Sequence, residues 1–343
     1  MNTYEPMCSF QNLYNAHKKA RRGKRDKAEV IKFELDLSQN LCLLQQQLQQ
    51  KIYQPSEYKQ FMVYDPKART IYAPNYTDRV VQHCLCDNII MPTLEPKLIY
   101  DNAACRLGKG THFSIYRLSN FMRTHYRKHG TVGYFLKCDV RKYFENIDHS
   151  VIKRKLSNLF DSDVVNLLFR IIDSYESKPN KGLPLGNQTS QWFALYYLDG
   201  MDRLIKEKLQ IKHYVRYMDD FILLHHSKEY LQHCHNQIKQ LFEQDLKLEL
   251  NEKTQIFPVK NGVNYLGWHF YLTETGKVIR KLVASNKRRF KRRIKLLQKN
   301  YAKGQIDNST VKRSIVSTHG HLLHGHTYKL HTKVFGNAIF RHN

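Results

Sequence analysis

The sequence predicts an α+β fold in which short antiparallel strands are packed among amphipathic helices. Three observations carry that expectation. Two apolar, β-rich runs, His213-Tyr-Val-Arg-Tyr-Met218 and Phe221-Ile-Leu-Leu-His225, flank Asp219 and Asp220, the pattern of a β-hairpin with both carboxylates at its tight turn. A strand-like run, Gly133-Tyr-Phe-Leu-Lys-Cys-Asp139, ends on an acid and leads into a helix-like segment, 141–148. Long stretches with apolar residues at helical spacing, such as 189–210, supply the helices.

In chain order, residues 8–50 read as helical and hold a basic patch, Lys18 to Arg25, and a Gln-rich tract whose Leu spacing is that of a helix. Residues 58–74 predict a hairpin turning at Asp65-Pro-Lys67, with basic residues at a tip suited to gripping a triphosphate. A periodic helix over 78–90 ends at Pro92, because proline disrupts a helix interior. Residues 111–129 form a basic helix, and strand 133–139 follows. Helices are expected at 149–160 and 163–176, then a Gly/Pro loop, Gly182-Leu-Pro-Leu-Gly186, and one long helix from Thr189 to Gln210. After the Tyr217 hairpin come a helix over 228–245 and strands over 246–258 and 262–271. The segment Lys287-Arg-Arg-Phe-Lys-Arg-Arg-Ile-Lys295 is a strongly basic helix.

With 343 residues, 41% of them hydrophobic, the chain is long enough for about two ordinary domains or one multi-lobed enzyme. A formal charge of +26 implies a polyanionic partner, since Lys and Arg that neutralise phosphates release counterions. The basic residues are spread along the chain instead of lining one amphipathic helix, which disfavours a membrane surface. The 22 Tyr and 17 Phe are mostly core, and those among basic residues suit stacked bases. Seven scattered Cys without paired CxxC spacing read as reduced thiols. The N-terminus has no apolar signal core and no run of 18 apolar residues exists, so the expectation is a soluble, cytoplasmic protein with no membrane partner.

The chemistry points to the acids. Two adjacent buried carboxylates are costly unless a cation sits between them, and Mg2+ takes oxygen ligands while leaving positions for substrate phosphates. A strand-end Asp139 together with the hairpin pair Asp219 and Asp220 is the set that two-metal phosphoryl transfer needs.

At this point the chain resembles reverse transcriptases. The Asp139 strand, the Gly/Pro loop with its helix, Tyr217-Met218-Asp219-Asp220, Lys253-Thr254 and Asn264-Tyr-Leu-Gly267 follow that family's block order from roughly 55 to 272. Asp78-Arg-Val-Val-Gln-His83 and Cys105-Arg-Leu-Gly-Lys-Gly-Thr-His112 are similar to the finger blocks of bacterial members. One departure narrows the subgroup. Most members carry Gln-Gly and then Ser-Pro after the central loop, whereas here the block is Leu185-Gly186-Asn-Gln-Thr-Ser190-Gln191. That pattern, and the segment 317–330, resemble the reverse transcriptases of diversity-generating retroelements.

The resemblance implies a right-hand polymerase with an antiparallel palm sheet and a mainly helical thumb. Its parts would be an N-terminal helical extension (1–57), fingers (58–132), palm (133–272, with a finger insertion at about 150–200) and a basic thumb (273–343). It implies that Asp139, Asp219 and Asp220, with the Val140 carbonyl, hold two Mg2+ ions. Lys67 and Arg69 would contact the incoming triphosphate, or form an ordinary charged turn. Phe144 would lie beneath the nucleotide sugar, with Tyr143 the alternative one register away, and Leu185 and Gly186 would line the same pocket. Primer and template contacts would come from Gln191, Tyr217, Met218, Leu266, Gly267 and the helix residues Lys287, Arg288, Lys291 and Arg292. Arg79 is either a finger contact or a salt-bridged helix residue, and Lys253 either lies near the active site or is solvated.

The family copies template-repeat RNA into cDNA with errors opposite adenines, working on dNTPs, primer and cDNA, usually beside a small basic accessory oligomer. It does so in bacterial or phage-infected cells. An ordinary retron- or group II intron-type enzyme is the alternative. Retention of Ser190-Gln191 counts against both, and the lack of a nuclease-like or Cys-rich extension after the thumb counts against the intron type. A non-catalytic RNA-binding scaffold is the remote one, opposed by the intact acids. His319, His321, His324 and His326 have chelating spacing but no Cys among them, and a thumb helix is favoured over a structural metal.

Overall fold

The computed structural model describes residues 4–64, 68–336 and 338–341. The chain opens with three helices, α1 (Phe10–Ala20), α2 (Ala28–Leu35) and α3 (Leu37–Gln49), followed by the hairpin β1 (Lys59–Val63) and β2 (Arg69–Ala73). The predicted turn of this hairpin, with Lys67, lies outside the described residues. Helix α4 (Tyr76–Leu85) does not stop at Pro92. It passes through a π-helical turn, Cys86–Ile90, into α5 (Met91–Leu94). Pro92 stands in the first turn of that new segment, directly after the π-helical turn.

Helix α6 (Thr111–His129) and strand β3 (Tyr134–Cys138) lie where expected. The helical segment after Asp139 shrinks to one turn, α7 (Tyr143–Asn146). Helices α8 (His149–Ser157) and α9 (Ser162–Asp173) are each capped by an aspartate, Asp148 and Asp161, whose carboxylates accept from Val151 and Val164 amides. The expected single helix over 189–210 is three pieces. α10 (Gln188–Tyr197) breaks at Leu198, whose ψ of 7° leaves the helical path, and α11 (Asp199–Arg203) runs on into a π-helical turn, Leu204–Lys208.

Strands β4 (His213–Tyr217) and β5 (Asp220–His225) form the predicted hairpin, and α12 (Lys228–Leu241) follows. Only β6 (Gln255–Pro258) of the 246–258 run is a strand, because Lys247 adopts φ +50° and Asn251 folds back on the end of β3. The next expected strand is a hairpin, β7 (Val263–Tyr265) and β8 (Trp268–Leu272), joined by β9 (Val278–Leu282). Helices α13 (Ala284–Ala302), α14 (Asn308–Leu322) and α15 (Tyr328–Phe335) complete the chain.

A four-stranded antiparallel sheet, in the order β4-β5-β3-β6, positions the site. Strand alternation buries it on both faces. Leu136, Cys138, Tyr214, Phe221 and Leu223 join the large core shared with α4, α8, α10 and α12. Phe135, Val215, Ile222 and Leu224 face a second core with α6 and the three-stranded sheet β7-β8-β9. The C-terminal helices have a thin core of their own, Phe290, Ile294 and Leu322. No helix among the described residues is long and apolar enough to cross a membrane.

Candidate active site

The hairpin register pairs Tyr217 with Asp220, so Met218 and Asp219 form a two-residue turn and Asp220 is the first residue of β5. Met218 sits at φ +57°, a left-handed conformation that a non-glycine residue holds only when its surroundings impose it. Arg216 imposes it. Its guanidinium, fully buried under the turn, donates to the Met218 carbonyl at 2.9 Å and to the Leu195 carbonyl at 3.0 Å. Its charge is matched by Asp202, also fully buried, at 2.5–2.8 Å, and Tyr214 donates to the same carboxylate. The break at Leu198 redirects the chain into α11, which carries Asp202. Sequence reading missed this pair, and the one signal was an arginine inside an apolar β run.

Pairing of Cys138 with Phe221 places Asp139, just past β3, beside Asp220. The Asp139 main chain is held by Asn251, whose amide donates to its carbonyl at 2.7 Å, and Val140 bridges to Leu250. Burial pushes the carboxyls of Asp219 and Asp220 up to about 6. Asp139 adds to both shifts; Arg69 and Arg216 oppose that of Asp219, and Lys137 opposes that of Asp220. The Oδ1 of Asp220 is buried without a hydrogen-bond partner. Among the described residues no three acidic, His or Cys side chains converge closely enough to grip one ion. What the site offers is hard oxygen donors, two of them held against their charge by the fold, a donor set that fits Mg2+ if waters and substrate phosphates complete its shell.

Of two cavities in this region, one contains Arg69, whose charge acts on Asp219, and the other is lined by Asp139 and Asp220 themselves. The first, of about 470 Å3, is lined by Arg69, Phe144 and Leu185 together with Tyr72, Tyr175 and Leu183. It brings three of the expected nucleotide-pocket residues together and separates the register alternatives. Phe144 lines the cavity, while Tyr143 is core, its hydroxyl bonded to the Ala194 carbonyl. The Leu183 amide donates to the Phe144 carbonyl, tying the Gly/Pro loop to α7. Gly186, at φ +124°, lets that loop approach β2, where an added Cβ would stand 3.3 Å from the Tyr72 carbonyl. Tyr72 and Tyr175, with ring centroids 4.7 Å apart, were not anticipated.

The second cavity, of about 500 Å3, lies on the β6–β8 side and is lined by Asp139, Asp220, Lys137, Lys253 and Asn264. Lys253 therefore sits beside the acids. The β7–β8 turn is Leu266-Gly267, both with positive φ, and a Cβ on Gly267 would stand 2.4 Å from the Asn286 side chain. The remaining expected contacts are more dispersed. Tyr217 is half-buried and its hydroxyl accepts from Thr111. Gln191 is exposed on α10, and Arg79 is ion-paired to Glu29 at 3.3 Å. On α13, Lys287, Arg288 and Arg292 are exposed and Lys291 is half-buried, and of these Arg288 and Arg292 lie opposite the buried Phe290 and Ile294. The four C-terminal histidines have separate partners. His319 bonds His331, His321 packs on Trp268, His324 stacks on His112, and His326 accepts from the Arg280 amide.

A strand-end acid beside a hairpin acid pair, on an antiparallel sheet backed by helices, is the arrangement expected of a template-directed nucleotidyl transferase. The sequence profile of the reverse transcriptase (RNA-dependent DNA polymerase) family matches residues 64–270, and this chain belongs to that family. Its fold is similar to apo telomerase from Candida tropicalis truncated from the C-terminal domain, at a TM-score of 0.50 and 14% identity, covering 68% of this chain and 58% of that one. It is also similar to telomerase from Candida albicans in complex with a fragment of telomeric RNA, at 0.50 and 14%, covering 75% and 52%. At such identity the likeness concerns the fold alone, and this chain spans little more than half the length of either. No curated protein sequence matches it.

Proposed function

We propose that this chain is the error-prone RNA-directed DNA polymerase of a diversity-generating retroelement, copying template-repeat RNA into adenine-mutagenised cDNA. The observation that carries this reading is Leu185 in the wall of the cavity shared with Arg69 and Phe144. A side chain that hydrogen-bonds there rejects mispairs strongly, because a wrong pair leaves it unsatisfied; a leucine applies no such penalty. Phe144 excludes a ribose 2′-hydroxyl by bulk, and Arg69 takes the triphosphate, with a guanidinium's bidentate fit to phosphate.

Asp139, Asp219 and Asp220, with the Val140 carbonyl, would hold two Mg2+ ions, which supply charge neutralisation at the attacking hydroxyl and at the leaving pyrophosphate. The protein's part is placement. Arg216 fixes the turn that presents Asp219, and the Leu266-Gly267 turn backs the primer end. The exposed cations of α13 follow the hybrid duplex by its backbone. In this reading β1–β2 and α4–α6 are fingers, β3–β8 palm with a finger insertion at about 150–200, and β9 with α13–α15 thumb. The small basic accessory oligomer is a partner in the same reading.

Primer extension on an RNA template, with sequencing of the cDNA and Asp219→Asn as the blank, tests it. Errors concentrated at template adenines, reduced in Leu185→Gln, are expected. Faithful cDNA, with or without the accessory protein, would make the chain an ordinary bacterial reverse transcriptase.

A further inference from the structure

Lys137 lies two residues before Asp139, on the same face of β3. Its Nζ donates to the Asn264 carbonyl at 2.6 Å and stands 3.5 Å from Asp220 Oδ1. The second distance is that of an ion pair and too long for a good hydrogen bond, so Oδ1 keeps its lone pairs unsatisfied. β3 and β5 belong to the four-stranded sheet and Asn264 to the three-stranded one, and no ladder joins the two. A single ammonium thus links a carboxylate of the site to the strand that begins the Leu266-Gly267 turn. Asn264 lies in β7 two residues before the turn, and its side chain bonds His269 of β8 at 2.8 Å, so the ammonium is joined to Gly267 by three residues of backbone.

We propose that Lys137 is a positioning residue with two coupled effects: it sets the distance between Asp220 and the turn that backs the primer end, and it moderates the pull of Asp220 on a divalent cation. The proposal rests on the reading that Asp220 is a metal ligand and that the turn supports the primer. The first effect follows from the bond to Asn264, whose carbonyl has a charged donor to lose. The second follows from electrostatics, since a positive charge at 3.5 Å opposes the binding of another.

The two effects have opposite signs once the lysine is removed, which separates them from a general loss of structure. Lys137→Met keeps the aliphatic stem and deletes the charge, and Lys137→Arg keeps the charge. Mg2+ binding to the full chain without substrate, read by titration calorimetry, is expected to tighten about threefold or more in Lys137→Met. In the same variant the KM for primer–template at saturating Mg2+ is expected to rise about fivefold or more, from the loss of one charge-assisted bond. Lys137→Arg should return both values toward wild type. Weaker or unchanged cation binding, or an unchanged KM, overturns the proposal. If the methionine variant does not fold, Lys137→Gln serves the same comparison. Asp220→Asn runs alongside. If it polymerises and binds Mg2+ like wild type, the underlying reading fails. If it is inactive while Lys137→Met matches wild type, only the proposal about Lys137 fails.

Discussion

The acid-bearing hairpin and the C-terminal helices hold their charges in opposite ways. Under the hairpin, Arg216 and Asp202 are wholly buried and bond to each other, to the Tyr214 hydroxyl and to backbone carbonyls. On α13, Lys287, Arg288 and Arg292 project into solvent over a core of three buried residues. A buried charge fixes geometry, because any misplacement leaves it unsatisfied in a low dielectric. An exposed charge supplies long-range attraction and tolerates displacement. In the proposed function, placing acids to within a bond length and holding a sliding duplex are different tasks, and the two regions would divide them.

The largest effect should come from breaking the buried pair. Asp202→Ala strands Arg216 and is expected to cost about 3–5 kcal/mol of stability in chemical denaturation, with loss of polymerisation. The apolar double replacement Arg216→Met with Asp202→Leu sharpens the point. It should recover most of that stability, yet polymerisation should stay lost, because the Met218 carbonyl no longer has its donor. Recovered activity would show that the turn needs no tether.

Next come the acids themselves. The carboxyls of Asp219 and Asp220 are raised to about 6, so their protonated forms favour the fold. That contribution is full below the ordinary carboxylate range and is lost as pH rises through about 6. Without a divalent cation, thermal stability should therefore fall between pH 4 and pH 7, and Mg2+ should restore it at pH 8 but not at pH 5. Asp220→Asn should flatten that profile while abolishing extension. A wild-type melting temperature indifferent to Mg2+ at pH 8 would count against the metal reading.

A smaller effect of the opposite sense belongs to His213 at the far end of the hairpin. Burial, with His125, Lys206 and His225 nearby, pulls its imidazole down to about 4. Stability is complete above the ordinary value near 6.5 and is lost as pH falls toward 4. His213→Phe should remove that acid-side loss without touching extension at pH 8.

What the sequence made legible follows the same division. The hairpin was readable because alternation and an acid pair are local signals, and Asp139 joined it because strand-end acids have few other reasons to interrupt an apolar run. Partners distant in sequence were not readable. Asp202 reaches Arg216 only because α10 breaks at Leu198, a residue with no breaker chemistry, and periodicity therefore predicted one unbroken helix. Lys137 meets Asn264 across 127 positions. The 246–258 run looked like a strand, and tertiary contact with the end of β3 overrode that pattern at Asn251. Tyr72 and Tyr175 were invisible because aromatics are abundant and only the fold brings these two together.

The smallest effect on the fold, and the one that tests the other half of the comparison, lies on α13. Arg288 and Arg292 are exposed and away from the buried face that carries Phe290 and Ile294, so alanine at either position should leave the melting temperature nearly unchanged. If each neutralises one backbone phosphate of the hybrid duplex, each substitution should lower the slope of log affinity against log salt by about 1, uniformly across template sequences. The weakening should appear in primer–template affinity and leave the error spectrum of the cDNA unchanged, because a phosphate contact reads no base. A change of error spectrum with an unchanged salt slope would reverse the assignment. It would place these cations near the templating base, and the division of labour between buried and exposed charge would then fail at the thumb.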